Sequence, residues 1–296
     1  AEAASFKARL DKIGGKKAEV TTQAEAERIA GELRQQPFVV AGVEEKEQKR
    51  YPKPPFTTST LQQAAFNTLG FSSARTMRIA QQLYEGLEIG EASPVGLITY
   101  MRTDAVRVAQ EAMTAVRELI PKRFGKSYLP AEPRQYKARK SAQEAHEAVR
   151  PTSVMRTPDA LQAHLTEEQM KLYQLIWQRF VASQMADAVD RLTAAQITAG
   201  AATKPGGAGK FTLRATGRVS VFAGWTKVYQ EAEEKERDDD RLPEGILPPL
   251  AKGEKLSLVG VVPSQHFTKP PRRYTDASLV KTLEENGIGR PSTYAP

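Results

Sequence analysis

The spacing of hydrophobic and polar positions divides the chain into stretches of different period. Ile29, Ala30 and Leu33 recur at helical spacing between Ala24 and Gln35, with charges on the other face. Thr21 or Thr22 can cap this helix, and Pro37 stops it. Phe38 to Gly42 reads as a strand, followed by a charged stretch from Glu44 to Arg50. Pro52, Pro54 and Pro55 then interrupt regular structure, which predicts a domain boundary. From Ser59 the period is helical. Ser59 or Thr60 is expected to cap residues 61–69, closed by Gly70. Ser72 or Ser73 opens a second helix carrying Met77, Ile79, Ala80 and Leu83, with Gly86 and Gly90 at its end.

Leu97 to Met101 is a short β-prone run, and Asp104 to Leu119 is again expected to be helical. Pro121, Pro130 and Pro133 mark a basic loop between Lys122 and Lys140. The longest helix is expected from Glu167 to about Asp187. The period then shortens to two over 194–199 and 211–222, around a Gly-rich loop at 204–209, with one more strand at 255–262. The acidic run 231–240 reads as an exposed loop. Its three adjacent carboxylates, Asp238 to Asp240, cannot all face one ion from a regular element, so no metal is assigned there. A last helix spans 276–285, capped by Thr275 or Asp276. The fold class is therefore α+β and multidomain: a strand-rich domain from 1–58 and 187–262, a helical domain at 59–186, and part of a helical base domain at 263–296.

Composition narrows the function classes. With 40% hydrophobic and 26% charged residues in 296, the chain is not a disordered one. It has no cysteine, which excludes thiol chemistry and cysteine-based zinc sites and fits a reducing cytosol. No apolar run approaches the length that spans a bilayer. The first residues lack both Met and a signal-peptide core, so the N-terminus reads as a cut end of a longer protein. The net charge is 43 − 35 = +8. Between Tyr100 and Arg156 there are 12 Arg or Lys against 6 Asp or Glu, and eight of the twelve are Arg, the better bidentate phosphate ligand. Nucleic acid is the expected partner.

Two constellations carry candidate chemistry. In Gly96-Leu-Ile-Thr-Tyr-Met-Arg-Thr-Asp104, an extended backbone would place Tyr100 and Arg102 on the same side. A phenol beside a guanidinium suits attack on a phosphodiester, because the cation steadies charge on the phosphoryl oxygens. A packed Tyr with an exposed Arg is the structural alternative. In Ser141 to Thr152, Gln143, His146 and Arg150 would line one helix face and grip adjacent phosphates. There the alternative is a solvated face on which Glu144 and Glu147 neutralise the cations. No Gly-x-Ser-x-Gly elbow and no Walker A loop occurs. Gly287-Ile-Gly-Arg-Pro lacks the Lys-Ser/Thr end of a phosphate loop and reads on spacing as a Gly-closed helix end with Arg290 exposed.

Four strings, in this order, carry a resemblance that covers essentially the whole chain: Pro54-Pro-Phe-Thr-Thr-Ser-Thr-Leu-Gln-Gln63, Gly96 to Asp104, Ala142-Gln-Glu-Ala-His-Glu-Ala-Val-Arg-Pro-Thr152, and Asn286-Gly-Ile-Gly-Arg-Pro-Ser-Thr-Tyr-Ala295. By these the chain resembles the type IA DNA topoisomerases, specifically the bacterial topoisomerase I branch. The resemblance implies that Tyr100 forms a 5′-phosphotyrosine link with a cut single strand and that Arg102 positions the scissile phosphate. It implies DNA contacts from His146, Arg150, Gln143, Thr103, Asp104 and Arg290. It also implies an arch of two strand-rich segments carrying a catabolite-activator-like helical domain. Single-stranded and negatively supercoiled DNA would be the partner of a monomeric, cytoplasmic, nucleoid-associated enzyme. Magnesium would belong to a Toprim domain preceding residue 1, with none expected in this chain. Ala105 stands where the family commonly has Ser, which leaves Asp104 or Thr103 to start the next helix. The other reading, from a different class, is a non-catalytic module that binds single-stranded DNA.

Overall fold

In the computed structural model, residues 5–137, 146–202, 209–230 and 246–295 are described. The Gly-rich loop at 204–208, the acidic run 231–240 and Gln143 lie outside these residues. The described residues fall into two units. One takes those of 1–49, 189–222 and 237–270; the other takes those of 50–188, 223–236 and 271–296.

The first unit is built on a six-stranded sheet ordered β2-β1-β5-β4-β3-β6. Its strands are β1 (Arg9–Ile13), β2 (Lys16–Lys17), β3 (Phe38–Arg50), β4 (Ala188–Ala202), β5 (Gly209–Phe222) and β6 (Lys255–Leu256). β4 and β5 form a long antiparallel ladder in which Ala195 faces Ala215, Ile197 faces Leu213 and Ala199 faces Phe211. Because side chains alternate along a strand, Ala195, Ile197 and Ala199 share one face. Against them pack Ile29 and Leu33 of α1 (Gln23–Arg34), with Phe38 and Phe211. Thr22 caps α1 by accepting the Glu25 N–H. The charged stretch 44–50, expected to follow a strand, is itself part of β3. The strand expected at 255–262 reduces to Lys255–Leu256, since pairing with Val39 and Phe38 ends there.

The second unit is helical: α2 (Thr58–Leu69), α3 (Ser73–Glu85), α4 (Gln110–Phe124), α5 (Pro158–Leu161), α6 (Glu167–Ser183) and α7 (Asp276–Glu285). α6 supplies the centre of its core through Leu172, Tyr173, Ile176 and Phe180, around which Leu61, Ile79, Leu83, Val116 and Ile120 pack. Thr57 rather than Ser59 caps α2, in a reciprocal capping box with Thr60. Gly70 closes α2 at φ 70°, the left-handed conformation that favours glycine. The stretch 263–296, expected as part of a base domain, is divided between the units: 271–296 lie in this one, where Ser59 donates to Glu284 (2.7 Å) and the Ser73 N–H to Asp276 (3.1 Å). The architecture is thus α+β, with antiparallel strand pairs in one unit and helices in the other.

Several local expectations fail, most of them because distant partners take the backbone. Residues 104–109 are not helical, because backbone groups beside and within them pair elsewhere: the Thr58 N–H donates to the Thr103 carbonyl, and the Ala148 N–H to the Arg107 carbonyl (both 2.9 Å). Helix α4 therefore starts at Gln110, and neither Thr103 nor Asp104 caps it. It also continues through Pro121 to Phe124, into what was expected to be loop. Residues 146–151 are extended rather than helical, since Val149 bridges Phe56 and Pro151 bridges Ile98. Tertiary pairing outweighs local helical preference here, and Pro151 adds its bias against a helical Arg150.

Candidate functional site

Tyr100 sits on a connection fastened on both sides. Upstream, the Leu97 N–H donates to the Leu83 carbonyl (2.7 Å) and the Thr99 N–H to the Arg150 carbonyl (2.9 Å). The Thr99 hydroxyl donates to the Ala148 carbonyl (2.7 Å) and accepts the Arg150 N–H (3.0 Å). Downstream, the buried Thr58 hydroxyl donates to the Met101 carbonyl (2.7 Å) and accepts the Thr103 N–H (2.8 Å). Met101 turns into the core and is 1% exposed, whereas Tyr100 is 45% exposed. Glycine is required at position 96, where a Cβ would lie 2.7 Å from the Tyr84 carbonyl oxygen.

The Tyr100 ring lines a cleft of about 320 Å³ with Tyr84, Thr99, Thr103, His146 and Glu147. Tyr84 meets it edge to face, with centroids 5.3 Å apart and planes at 65°. His146 is exposed, so the structure brings a phenol and an imidazole to one opening. Arg102 does not share it. The chain bends at Met101 and Arg102 instead of running straight, so the i, i+2 rule for a strand does not hold. Arg102 lines a separate cleft of about 430 Å³ with Arg78, Gln81, Pro291 and Ser292.

The remaining expected contacts distribute unevenly. Arg150 is 8% exposed, donates to Glu147 (2.6 Å) and to the Pro151 carbonyl (2.9 Å), and is not on a helix face. Thr103 is buried, and its hydroxyl accepts the Ala105 N–H (3.0 Å). Asp104 is partly exposed beside it. Arg290 is exposed in the turn after α7, adjacent to Pro291 and Ser292 of the Arg102 cleft.

The basic tract is also less open than its composition suggests. Arg117 donates to the Pro130 and Ala131 carbonyls, Arg123 to Asp159, Arg134 to Asp187, Arg150 to Glu147 and Arg156 to Glu91. These guanidiniums tie loops down with their several donors. Arg102 and Arg107 are exposed and have no such partner among the described residues. Thr58, Thr99 and Tyr84 were not anticipated as site residues. The only sequence signal for the threonines is their place in the Thr-Thr-Ser-Thr and Ile-Thr-Tyr strings.

Among the described residues, no three His, Cys, Asp or Glu side chains gather as a metal site, and Glu147 of the cleft is engaged by Arg150. These residues do not fit a magnesium ion, and none is assigned to them. No helix among the described residues is long and apolar enough to cross a membrane.

Comparison with known proteins gives a consistent picture. A family model described as DNA topoisomerase matches residues 2–296. DNA topoisomerase 1 of Rickettsia felis is 45% identical over 294 residues, covering 98% of this chain and 36% of the relative. That of Treponema pallidum is 48% identical over 292 residues, covering 99% and 38%. The structure of full-length topoisomerase I from Thermotoga maritima aligns with a TM-score of 0.77 at 37% identity, over 97% of this chain and 43% of that one. The chain thus spans a little over a third of the length of the curated relatives it matches.

Proposed function

This chain belongs to the bacterial type IA DNA topoisomerase family, and from that premise we propose that it supplies the nucleophile with which the whole protein cuts and rejoins one DNA strand. The observation that carries the reading is the exposed Tyr100 ring, held between the Thr99 and Thr58 anchors in a cleft shared with His146. In this reading the Tyr100 oxygen attacks the phosphorus and the bond from phosphorus to the 3′ oxygen breaks. The phenolic proton ends on the departing 3′ oxygen. One phosphodiester replaces another, so the reverse attack reseals the strand without an energy source. His146 holds a neighbouring phosphate at the cleft mouth, and Arg102, Arg290 and Asp104 meet the strand beside it. Passage of a second strand through the break would relax negatively supercoiled DNA in the cytoplasm.

Cleavage needs a proton acceptor for the phenol and a donor for the leaving oxygen. Arg102 cannot be the acceptor, because a guanidinium keeps its proton. These groups, and any magnesium, are assigned to the Toprim domain expected upstream. The chain alone is accordingly proposed to bind single strands without relaxing plasmids. The separation of Arg102 from Tyr100 into two clefts favours the same behaviour.

The test is label transfer. With the N-terminal domain supplied separately, a 3′-labelled oligonucleotide should leave its label on this chain, and a 5′-labelled one should not. Tyr100→Phe should abolish the transfer while retaining binding. Transfer to the Phe variant, or plasmid relaxation by the isolated chain, would overturn the assignment.

A further inference from the structure

The last turn of α3 carries an aromatic ring with no role in the core. Leu83 is wholly buried, yet its neighbour Tyr84 is 41% exposed on the wall of the Tyr100 cleft. Among the described residues, no hydrogen bond engages the Tyr84 phenol. Its ring contact is the edge-to-face one with Tyr100. Its backbone, in contrast, is fixed: the Tyr84 carbonyl lies against Gly96, where any Cβ would collide, and the Leu83 carbonyl accepts the Leu97 N–H. A rigidly mounted, half-exposed ring beside an exposed imidazole is the combination with which proteins hold single-stranded nucleic acid. Cationic or polar groups follow the phosphates, and an aromatic face takes a base. Stacking asks nothing of base identity, because every base has a π face.

We propose that Tyr84 is a stacking platform for a nucleobase flanking the phosphate that enters the Tyr100 cleft, and so a positioning residue for the strand. This rests on the reading of that cleft as the strand-cleavage site. Seating a base on Tyr84 while His146 holds a phosphate would fix the strand at two points around Tyr100. Fixing the reacting phosphate in this way is worth a large factor in rate when the geometry is right. Tyr100 itself also gains, because the edge-to-face contact restricts its ring.

A purely structural role for Tyr84 predicts the same loss on any strand, whereas stacking predicts a loss only where bases are present. The experiment measures equilibrium binding of a thymidine dodecamer and of a fully abasic strand of equal length and charge. The proteins are the wild-type chain, Tyr84→Ala and Tyr84→Phe. Tyr84→Ala should weaken the thymidine strand about tenfold, within the range found for single stacked bases. It should change the abasic strand less than about twofold, well short of the tenfold expected where a base is stacked. Tyr84→Phe keeps the ring and should match wild type on both strands. Equal loss on both strands, no loss on thymidine, or a defect in Tyr84→Phe equal to that of Tyr84→Ala would each overturn the proposal. If label transfer to Tyr100 fails while the base-dependent effect of Tyr84 stands, the cleavage reading falls and the platform survives.

Discussion

Replacing Thr58 by Val tests whether a single buried hydroxyl holds the Tyr100 connection in place. Valine has nearly the same shape, so packing around this wholly buried position changes little. What disappears is the oxygen that donates to the Met101 carbonyl at 2.7 Å and accepts the Thr103 N–H at 2.8 Å. The Thr103 N–H then has no partner, and the Met101 carbonyl loses this donor. A buried polar group left unpaired costs about 1–3 kcal/mol, so two of them amount to roughly 2–4 kcal/mol after some relaxation. Urea unfolding followed by circular dichroism reads this directly: the midpoint should fall while the slope stays constant, the signature of lost stability without a change in compactness. Thr58→Ser keeps the hydroxyl and should cost only about 1 kcal/mol for the missing methyl. The label-transfer yield should drop with Val and return with Ser, since the anchor lies one residue from Tyr100. A Val variant within about 0.5 kcal/mol of wild type, the range of ordinary surface substitutions, would refute the reasoning.

Gly96→Ala should destabilise the chain by about 1–3 kcal/mol, because its Cβ would lie 2.7 Å from the Tyr84 carbonyl and one backbone must shift; thermal unfolding measures it, and an unchanged midpoint contradicts it. Burial pushes the Tyr136 phenol, which reaches the Ser183 carbonyl at 2.8 Å, up to about 12. Its folded value is thus raised above that of the unfolded chain, so its contribution is complete below about pH 10 and disappears as pH rises toward 12. The stability gap between wild type and Tyr136→Phe should therefore narrow across that window, and a gap constant with pH would speak against it. For single-stranded DNA, Arg102→Ala should reduce the slope of log affinity against log salt by about 0.7, the value for one phosphate contact on a single strand. Arg123→Gln, whose wild-type side chain is committed to Asp159 at 2.7 Å, should leave that slope nearly unchanged; equal effects from both would mean that the tract acts as a diffuse charge.

Helices whose periodicity and caps agree were readable from the residues alone. α1, α3 and α7 begin and end within a residue or two of their signals, because Thr22, Ser72 and Thr275 cap them locally. Prediction failed where a distant partner takes the backbone. Residues 104–109 and 146–151 have helical composition, but Arg107 pairs with Ala148, and Val149, Arg150 and Pro151 pair with Phe56, Thr99 and Ile98, each partner distant in sequence. The charge excess at 100–156 misled for a related reason. Composition counts a guanidinium the same way whether it faces solvent or, like Arg134, is spent on the Met185 carbonyl and Asp187. Tyr100 and His146 were singled out in two separate strings, and the structure sets both residues on one cleft. That Arg102 faces another cleft could not be read from spacing, since the bend at Met101 exists only once its side chain enters the core.

That bend explains why two threonines hold the Tyr100 connection in place of a strand ladder. In a paired strand, Tyr100 would be located by its own backbone bonds, and its neighbours would alternate strictly between core and solvent. Here Ile98 and Met101 are both buried while Tyr100 is exposed, which a straight strand cannot achieve with a spacing of three. The chain must leave the extended conformation after Tyr100, so ladder bonding stops at Thr99. Side-chain oxygens take over: Thr99 secures the segment carrying Ala148 and Arg150, and Thr58 secures the turn from Met101 to Thr103. A β-branched residue suits this task, because its restricted χ1 loses little further freedom when the hydroxyl is engaged. With anchors one residue away on either side, the ordering cost at Tyr100 is met during folding. The ring itself stays exposed.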